Sequence, residues 1–530
     1  MDSLIAAVRS EHRARFHQAV RDGDALPLLI PYSLLGVFVL PVLWLAIPHT
    51  RRPWWYQTRW LVAVAGVAFN LHIISTCSSG NLPFSYASGL MAAWGIIWSL
   101  NLLIWTRPQF DAARVVKVTR PAQRSVLALE SPSTSRNNNL ASPEQGAVKR
   151  RTNKSVEPSL FKQDGAAEDV YVWQPYPVDG PYLQRLGWAL DLVTSFRGAG
   201  WNWSVPIVPH PRTPPKVSSG DIVDLDSMAL QTRSGYSRCQ SEGEFVRKML
   251  LFMAAMYLIA DFGLLLAAND PYFIFGPDRY QEVASHLLGI PPWLILAYRE
   301  LICLAIIVCY LTAVFVLGNF LHYWFLKFFF PSYAALWRHP SAFGAFSQVL
   351  DRGLAGWWGG FWHQTFRVGF SAPANYFIEH GYLGTRSPVT AVVVVCVSFL
   401  QSGLLHASGS ISSIPNSKPW RSVAFFLLQA VGVVVQDSLR RLARRHFPNT
   451  SVAISRILNF SITILWLYFT ADFFLADLAS TGVTLSEPLP ISPLRWLFSG
   501  NENEPLWRWG ETGYPTWHVG RHWWESGIAL

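Results

Sequence analysis

The chain has 530 residues, of which 51% are hydrophobic and 14% are charged, and its mean hydropathy is +0.22. Soluble domains carry about 25% charged residues, so the composition excludes an ordinary soluble protein and indicates that lipid is the main solvent. The net charge of +10 could suggest a nucleic-acid partner. The basic residues flank apolar segments, however, where Lys and Arg fix membrane topology, so we expect no nucleic acid.

The apolar runs predict an all-α fold, a polytopic bundle of about eight to ten transmembrane helices. The N-terminal segment 1–26 is amphipathic and lacks the apolar centre of a cleaved signal peptide, so the first span is expected to be retained as a signal-anchor. Pro331 splits the apolar stretch 324–337, which predicts a broken or re-entrant helix. Spans of roughly 20 apolar residues are predicted at 28–47, 60–78, 84–105, 248–268, 296–321, 389–406, 421–437 and 456–477.

The segments between the spans divide the chain further. The first three spans (27–106) are followed by a segment at 107–247, which the positive-inside rule places in the cytosol. Within it, 120–168 is rich in Ser, Asn, Pro and charge and is predicted to be disordered, because it cannot bury enough apolar surface. A membrane core at 248–477 and a Trp-rich tail at 478–530 complete the chain. The tail is expected to lie on the membrane surface or to cover a tunnel mouth.

The motif RGAGWNW (197–203) follows the amphipathic stretch LQRLGWALDLVTSF (183–196). This pattern predicts a cytosolic helix lying on the membrane, then a glycine turn whose indoles dip into the interface. A contribution to the mouth of a donor-binding site is the alternative. The motif is not a phosphate loop, because the chain has neither GxxxxGK nor GxGxxG after a strand.

The stretch WWGGFWHQTFR (357–367) surrounds a His, a Gln and an Arg with Trp and Phe rings. Composition alone favours an aromatic belt at the membrane interface, with Arg367 reaching the head groups. Gly359 and Gly360 favour the alternative, a packed corner or reaction site, because glycine permits a close backbone approach or a sharp turn.

The run AVVVVCVSFLQSGLLH ends at His406. Ionisable groups inside apolar helices usually face a cavity and are functional, and a neutral imidazole is suited to act as a general base. A structural His bonded to a neighbouring helix is the alternative. His322 lies at the end of a span and is expected to be interfacial. Asp261 and Asp472 either pack between helices or line a cavity.

Other catalytic signatures are missing from the sequence. It has neither the GxSxG of a serine nucleophile elbow nor the HExxH of a zinc protease. Its five cysteines are scattered without a CxxC pair, so neither a disulfide framework nor a metal site is predicted.

The ordered motifs resemble a known family. WWGGFWHQTFR resembles the [FW]WGxxWHQ element of the wax-synthase-like branch of the membrane-bound O-acyltransferases, and SGLLH (402–406) resembles its downstream SGxxH. RGAGWNW is similar to an element of the fungal members, which are terpenoid or meroterpenoid O-acetyltransferases. The three motifs occur in the expected order between residues 185 and 406.

This resemblance implies a helical bundle that encloses a buried reaction tunnel. It implies that His406 is the general base and that His363 assists it. Residues expected to contact substrate or CoA are Trp358, Trp362, Gln364, Arg367 and Arg338. Trp357 stands where the family usually has Phe, and Gly360-Phe361 replaces a pair that is often basic, so chain-length preference does not carry over.

The resemblance further implies acetyl-CoA as co-substrate, no bound cofactor, and a hydrophobic hydroxylated small molecule as acceptor. The protein is expected in the lipid bilayer of the endoplasmic reticulum. A long-chain acyl-CoA:alcohol acyltransferase that makes wax or sterol esters is the alternative within the class. A multispan transporter and a catalytically silent membrane scaffold are the alternatives from other classes.

Overall fold

A computed structural model of the chain describes residues 2–120, 168–278, 283–414, 417–486, 489–498, 507–509 and 515–530. The segment predicted to be disordered, 120–168, lies outside these residues except at its two end positions. Residues 499–506 and 510–514 of the Trp-rich tail lie outside them as well.

The N-terminal part builds a first layer of helices. Its elements are α1 (Asp2–Asp22), β1 (Leu26–Pro27), β2 (Leu29–Ile30), α2 (Leu40–Leu45), α3 (Pro53–Gln57), α4 (Arg59–Thr76), β3 (Cys77–Ser78) and α5 (Leu82–Leu100). The predicted span 28–47 is shorter than expected, an apolar helix at Tyr32–Leu45. Pro31 and Pro48 flank it, and proline disfavours helix at the residue before it and lacks the amide donor.

The segment predicted as a cytosolic loop contains ordered structure. It holds α6 (Pro108–Asp111), an antiparallel hairpin of β4 (Ala113–Arg120) and β5 (Glu168–Pro175), and α7 (Tyr182–Thr194). The membrane part is therefore helical as predicted, while small strands lie outside the spanning helices. One face of α7 packs into the protein core through Trp188, Ala189, Leu192 and Val193, all fully buried.

The C-terminal half supplies most of the long helices. Its elements are α8 (Glu242–Ala268), α9 (Pro271–Phe275), α10 (Pro292–Phe329), α11 (Ser347–Arg352), α12 (Leu354–Gly356), α13 (Arg367–Glu379), α14 (Pro388–Ser412), α15 (Trp420–His446), α16 (Val452–Ser480), α17 (Pro493–Phe498), β6 (Thr516–His518) and β7 (Gly527–Ala529).

Within the described residues, seven helices are long and apolar enough to cross a membrane. They are Pro53–Thr76, Leu82–Trp105, α8, α10, α14, α15 and α16. This count is below the predicted eight to ten for two reasons. The first predicted span is the short helix before Pro48. The predicted broken helix at 324–337 is the end of α10 up to Phe329, followed by two short 3-10 turns at Pro331–Tyr333 and Leu336–Arg338. Helix α10 continues to Phe329 and stops before Pro331, which cannot supply an interior amide donor.

Close packing of α5 against α14 positions the later part of the site. A side-chain carbon at Gly89 would collide with the carbonyl oxygen of Ser408, and one at Gly409 would lie 2.9 Å from the carbonyl oxygen of Tyr86. Small residues allow such close approach of helices in membranes. Ser412 reinforces the contact, because its hydroxyl donates to the Ser85 carbonyl at 2.7 Å and accepts from the Gly89 amide at 3.1 Å.

Asp477 of α16 fixes the turn between α14 and α15. Its carboxylate is 1% exposed and accepts hydrogen bonds from the Ser410 hydroxyl at 2.9 Å, the Lys418 amide at 2.8 Å and the Ser422 hydroxyl at 3.1 Å. Asp261 has a comparable packing role, since it accepts from the Leu494 amide at 2.9 Å at the start of α17. A buried carboxylate with several donors is a stable arrangement.

The end of the chain folds back onto its beginning. β7 pairs antiparallel with both β2 and β6, so that Leu29 lies opposite Ala529. The Leu530 amide donates to the Leu28 carbonyl at 3.1 Å, and Ser79 donates to the Leu530 carbonyl. The described part of the tail therefore covers the segment before α2.

Candidate active site

The WWGGFWHQTFR motif forms a tight corner between α12 and α13. Residues Trp357–Phe361 make one wide π-helical turn, a geometry that recurs at functional sites. The glycines explain the turn. The carbonyl oxygen of Gly360 lies against Gly344, where a side-chain carbon would collide with it, and the Gly344 amide donates to the Phe361 carbonyl at 2.9 Å. The close approach that the sequence predicted thus occurs at Gly360.

The aromatic side chains of this corner pack inward. Trp357 is 6% exposed and stacks on Trp362 with ring centroids 6.1 Å apart and planes 18° apart. Trp358 contacts Phe399 and Phe426 of the neighbouring helices, at 5.7 Å and 6.0 Å between centroids. The interfacial-belt alternative is therefore wrong for Trp357, and the stretch is a packed corner.

Gln364 holds the corner together. It is 4% exposed, and its amide nitrogen donates to the carbonyls of Trp358 at 2.9 Å and Trp362 at 2.7 Å. Its oxygen accepts from Arg367 at 2.9 Å, and Arg367 also donates to the Gly359 carbonyl at 3.3 Å. Both amide hydrogens of Gln364 are used within the protein. Because Gln364 is bonded to the Trp362 carbonyl, it fixes the position of His363, which lies between these two residues in the chain.

His363 lies in an aromatic cage. Its ring centroid is 5.0 Å from Phe315, 5.5 Å from Trp362 and 5.6 Å from Phe366. Its Nδ1 is buried and has no hydrogen-bond partner within the part of the chain that the structure describes. Burial, together with smaller effects of the charges that His406 and Arg197 can carry, lowers the pKa of His363 to about 3. His363 is therefore neutral at physiological pH and lies within electrostatic reach of His406.

His406 occupies a second aromatic niche, on α14. Its ring is parallel to Phe426, with centroids 5.0 Å apart and planes 8° apart, and it meets the edge of Phe474 at 5.0 Å. Its Nδ1 is 3.2 Å from the hydroxyl oxygen of Tyr86. Because Phe426 also contacts Trp358, one ring joins the SGLLH motif to the WWGGFWHQTFR corner.

Both histidines keep an accessible nitrogen. Each side chain is half-buried, and the Nε2 atoms have no hydrogen-bond partner among the described residues yet are not sealed from solvent-sized space. The indole nitrogen of Trp358 is buried and also unpaired within those residues. Free ring nitrogens can transfer protons, and an unused donor can stabilise a developing negative charge. Two surface pockets, one near Arg9 and one near Trp324, are lined by neither His363 nor His406. Neither pocket is therefore the predicted reaction tunnel, which stays a prediction.

The RGAGWNW motif differs from its prediction. Trp201 is 1% exposed and packs edge-on against Trp188 at 5.1 Å, so it does not enter the membrane interface. Gly198 (φ 64°) and Gly200 (φ 85°) adopt left-handed backbone conformations that glycine tolerates. They turn the chain back under α7, and the Trp201 indole donates to the Ser195 hydroxyl at 3.1 Å. The sequence identified an aromatic anchor but assigned it to lipid rather than to the protein core.

Three arginines lie in or near this motif. The side chain of Arg338 is 8% exposed and donates to Asp191 at 3.0 Å, and Arg114 donates to the same carboxylate at 3.1 Å. Burial raises the pKa of Asp191, but the Arg338 and Arg114 charges outweigh it and leave the pKa below its ordinary value. Arg197 donates to the carbonyls of Ser341 at 2.7 Å and of Pro340 at 3.1 Å. Two guanidinium groups on one carboxylate leave a net positive charge, and Arg197 adds a third guanidinium to this region, since it and Arg338 both act on the neighbouring His339.

His322, expected at the membrane interface, is exposed in the last part of α10 but contacts a buried neighbour. Its Nδ1 is 3.2 Å from Nε2 of the buried His339, next to the same arginines. Within the described residues, no group of three or more His, Cys, Asp or Glu side chains could hold a metal ion. Tyr86 is the residue that sequence reasoning missed. A tyrosine inside an apolar helix is a weak polar signal, and its partner lies 320 positions away.

Comparison with known proteins adds to this geometry. Residues 339–428, which include both histidines, match the membrane bound O-acyl transferase family. The acetyltransferase aurG of Calcarisporium arbuscula is 24% identical over 369 residues, which cover 67% of this chain and 80% of the relative. No solved structure matches.

Two further fungal relatives are similar to this chain. The O-Mevalon transferase yanI of Aspergillus niger is 25% identical over 312 residues, 55% of this chain and 61% of the relative. The acetyltransferase ple2 of Rhodocybe pseudopiperita is 25% identical over 325 residues, 61% of this chain and 74% of the relative.

Proposed function

We propose that this chain, an acyltransferase of the membrane-bound O-acyltransferase family, transfers acetyl from acetyl-CoA. The acceptor that we propose is a hydroxyl of a hydrophobic terpenoid or meroterpenoid in fungal secondary metabolism. The similar proteins named acetyltransferase support the acetyl group. The seven apolar helices make the chain a multi-pass membrane protein, for which we propose the endoplasmic reticulum. The observation that carries the proposal is the Nε2 of His406, which has no hydrogen-bond partner among the described residues and lies close enough to His363 for the charge of one to affect the other.

His406 would act as the general base. Its Nε2 takes the proton from the acceptor hydroxyl as that oxygen attacks the thioester carbonyl carbon. The C–S bond then breaks, CoA leaves as a thiolate, and the proton on Nε2 passes to the sulfur. A thioester is already activated, so no acyl-enzyme is needed. The products are the acetyl ester and CoA, and His406 returns to its neutral form.

The developing oxyanion needs hydrogen-bond donors that the protein has not already used. His363 and the indole of Trp358 meet this requirement, since each has an unpaired nitrogen among the described residues. Gln364 does not, because both of its amide hydrogens are bonded to backbone carbonyls. We assign the donor role to His363 and Trp358 and the positioning role to Gln364.

The arginines would receive the CoA phosphates. Arg367 is exposed and lies five residues after Trp362 in the same corner. Arg114 and Arg338 pair with the single carboxylate of Asp191, and Arg197 donates to the carbonyls of residues 340 and 341, so this region also carries a net positive charge. Guanidinium groups suit phosphate oxygens, although the ion pair of Arg338 with Asp191 leaves it less free than Arg367.

The proposal is tested with microsomes that contain the full-length chain. Labelled acetyl-CoA and labelled long-chain acyl-CoA are each offered with a panel of terpenoid, sterol and fatty alcohols. Acetylation of at least one terpenoid alcohol, with weaker or no transfer of the long-chain group, is expected. Preferential esterification of fatty alcohols or sterols by the long-chain donor would favour the wax or sterol ester alternative. Solute movement across vesicles without any transfer would instead indicate a transporter.

A further inference from the structure

We propose that Tyr86 is a positioning residue that sets the tautomer of His406, so that Nε2 is the nitrogen that accepts the proton. This inference rests on the proposed function. Tyr86 lies on α5, far from the sequence motifs, and is 7% exposed. Its hydroxyl oxygen is 3.2 Å from His406 Nδ1, and within the described residues it makes this hydrogen bond alone.

The direction of this hydrogen bond decides which nitrogen can react. A neutral imidazole carries one hydrogen, on either Nδ1 or Nε2. Nε2 keeps a lone pair and can accept the acceptor's proton when Nδ1–H donates to the Tyr86 oxygen, the direction that we propose; donation by the Tyr86 hydroxyl to Nδ1 would instead leave the hydrogen on Nε2. When that proton arrives, the ring becomes an imidazolium, and its Nδ1–H donates to Tyr86 in a stronger, charge-assisted bond. The contact therefore stabilises the charged form that arises during transfer more than the resting form.

The surrounding packing holds both partners in this geometry. A side-chain carbon at Gly409 would lie 2.9 Å from the Tyr86 ring, so only glycine leaves room for tyrosine here. The parallel ring of Phe426, 5.0 Å away, restricts rotation of the His406 imidazole. The Ser410 hydroxyl, one helical turn after His406, is bonded to Asp477 at 2.9 Å and fixes the rotation of α14.

The first test is Tyr86→Phe in the full-length chain in microsomes. The variant keeps the ring against Gly409 and removes only the hydroxyl. We expect kcat for acetyl transfer to fall about tenfold, as for the loss of one hydrogen bond to a charged group, with KM for acetyl-CoA and for the alcohol changed less than twofold. The matched control is Tyr176→Phe. Tyr176 is similarly buried and donates to the Ala46 carbonyl at 3.1 Å, and its loss should leave kcat within twofold of wild type.

The second test separates positioning from a general structural effect. If Tyr86 acts through His406, Tyr86→Phe should cause no further loss in a His406→Ala background, measured in long incubations with labelled acetyl-CoA. Thermal midpoints of Tyr86→Phe and Tyr176→Phe in detergent should agree within a few degrees. A wild-type kcat for Tyr86→Phe, or an equal loss with and without His406, would overturn the inference. Failure of the proposed function is distinct, since it would show in the wild-type protein as no transfer of acetyl to any alcohol.

Discussion

The rings of His406 and Phe426 lie parallel, 5.0 Å apart, and Phe474, which also contacts Phe426, meets the imidazole edge-on at 5.0 Å. The imidazole of the proposed base is thus oriented by stacking as well as by its hydrogen bond. Aromatic pairs of this kind contribute about 0.5–1.5 kcal/mol beyond area burial.

Replacing Phe426 should therefore increase the rotational freedom of the His406 imidazole without removing that side chain. Phe426→Leu is expected to lower the initial rate of acetyl transfer about two- to tenfold, because the imidazole gains rotational freedom. The rate is measured in microsomes at saturating acetyl-CoA. Phe469→Leu on α16 is the control, since Phe469 is 72% exposed and should show no change. Equal rates for wild type and Phe426→Leu would contradict an orienting role for the stacked ring.

His363 is predicted to stabilise the oxyanion. His363→Ala should lower kcat about 10²–10³-fold, the cost of losing one such donor, while His363→Gln, which keeps an N–H donor, should lose less. Because the pKa of His363 is lowered to about 3 by burial, the group stays neutral between pH 5 and pH 8. The fold-loss on removing it should accordingly be the same at both pH values. A loss that vanishes at pH 8, or a full rate for His363→Ala, would exclude the donor role.

Arg367 is predicted to contact CoA. Arg367→Gln should raise KM for acetyl-CoA about fivefold or more and leave KM for the alcohol unchanged, since a guanidinium binds phosphate strongly. Arg386→Gln is the control, because Arg386 is also exposed and lies between α13 and α14. Steady-state kinetics over a range of acetyl-CoA concentrations distinguishes the two variants. An unchanged KM for Arg367→Gln would place the CoA phosphates elsewhere, with the arginines around Asp191 as the next candidates.

Trp201 is predicted to stabilise the fold rather than to bind the membrane. Trp201→Ala removes a fully buried indole and should lower stability by about 3–5 kcal/mol, seen as a lower thermal midpoint in detergent and a smaller amount of protein in membranes. Trp54→Ala, at an indole that is 68% exposed, should change neither. If Trp201→Ala kept the midpoint but weakened attachment of the 107–247 segment to lipid, the interfacial prediction would hold instead.

The sequence predicted the long helices well and their surroundings less well. Hydropathy located α8, α10, α14, α15 and α16, because each contains an apolar run that needs lipid or protein around it. It could not tell lipid from protein as the partner of an apolar face, and for that reason Trp201 was assigned to the membrane. The split at Pro331 was recognised, but the physical effect was to end α10 rather than to create another span.

The sequence motifs indicated which residues form the candidate site, but not which side chains contact one another. The order of WWGGFWHQTFR and SGLLH indicated His363 and His406, which the structure places within electrostatic reach of each other. Tyr86 could not be found in this way, since its contact with His406 depends on the glycine-mediated approach of α5 and α14. Nor could the sequence show that Gln364 uses both amide hydrogens inside the corner.

The role of His406 as the general base of acetyl transfer is tested most directly by comparing two histidine variants with wild type. Microsomes with equal amounts of wild type, His406→Ala and His380→Ala are assayed with labelled acetyl-CoA and the best alcohol of the panel. His380 is exposed at the end of α13, so its removal should leave the rate within twofold of wild type. His406→Ala should lower the rate at least a hundredfold, as expected for loss of a general base. A His406→Ala rate equal to that of wild type would contradict the account.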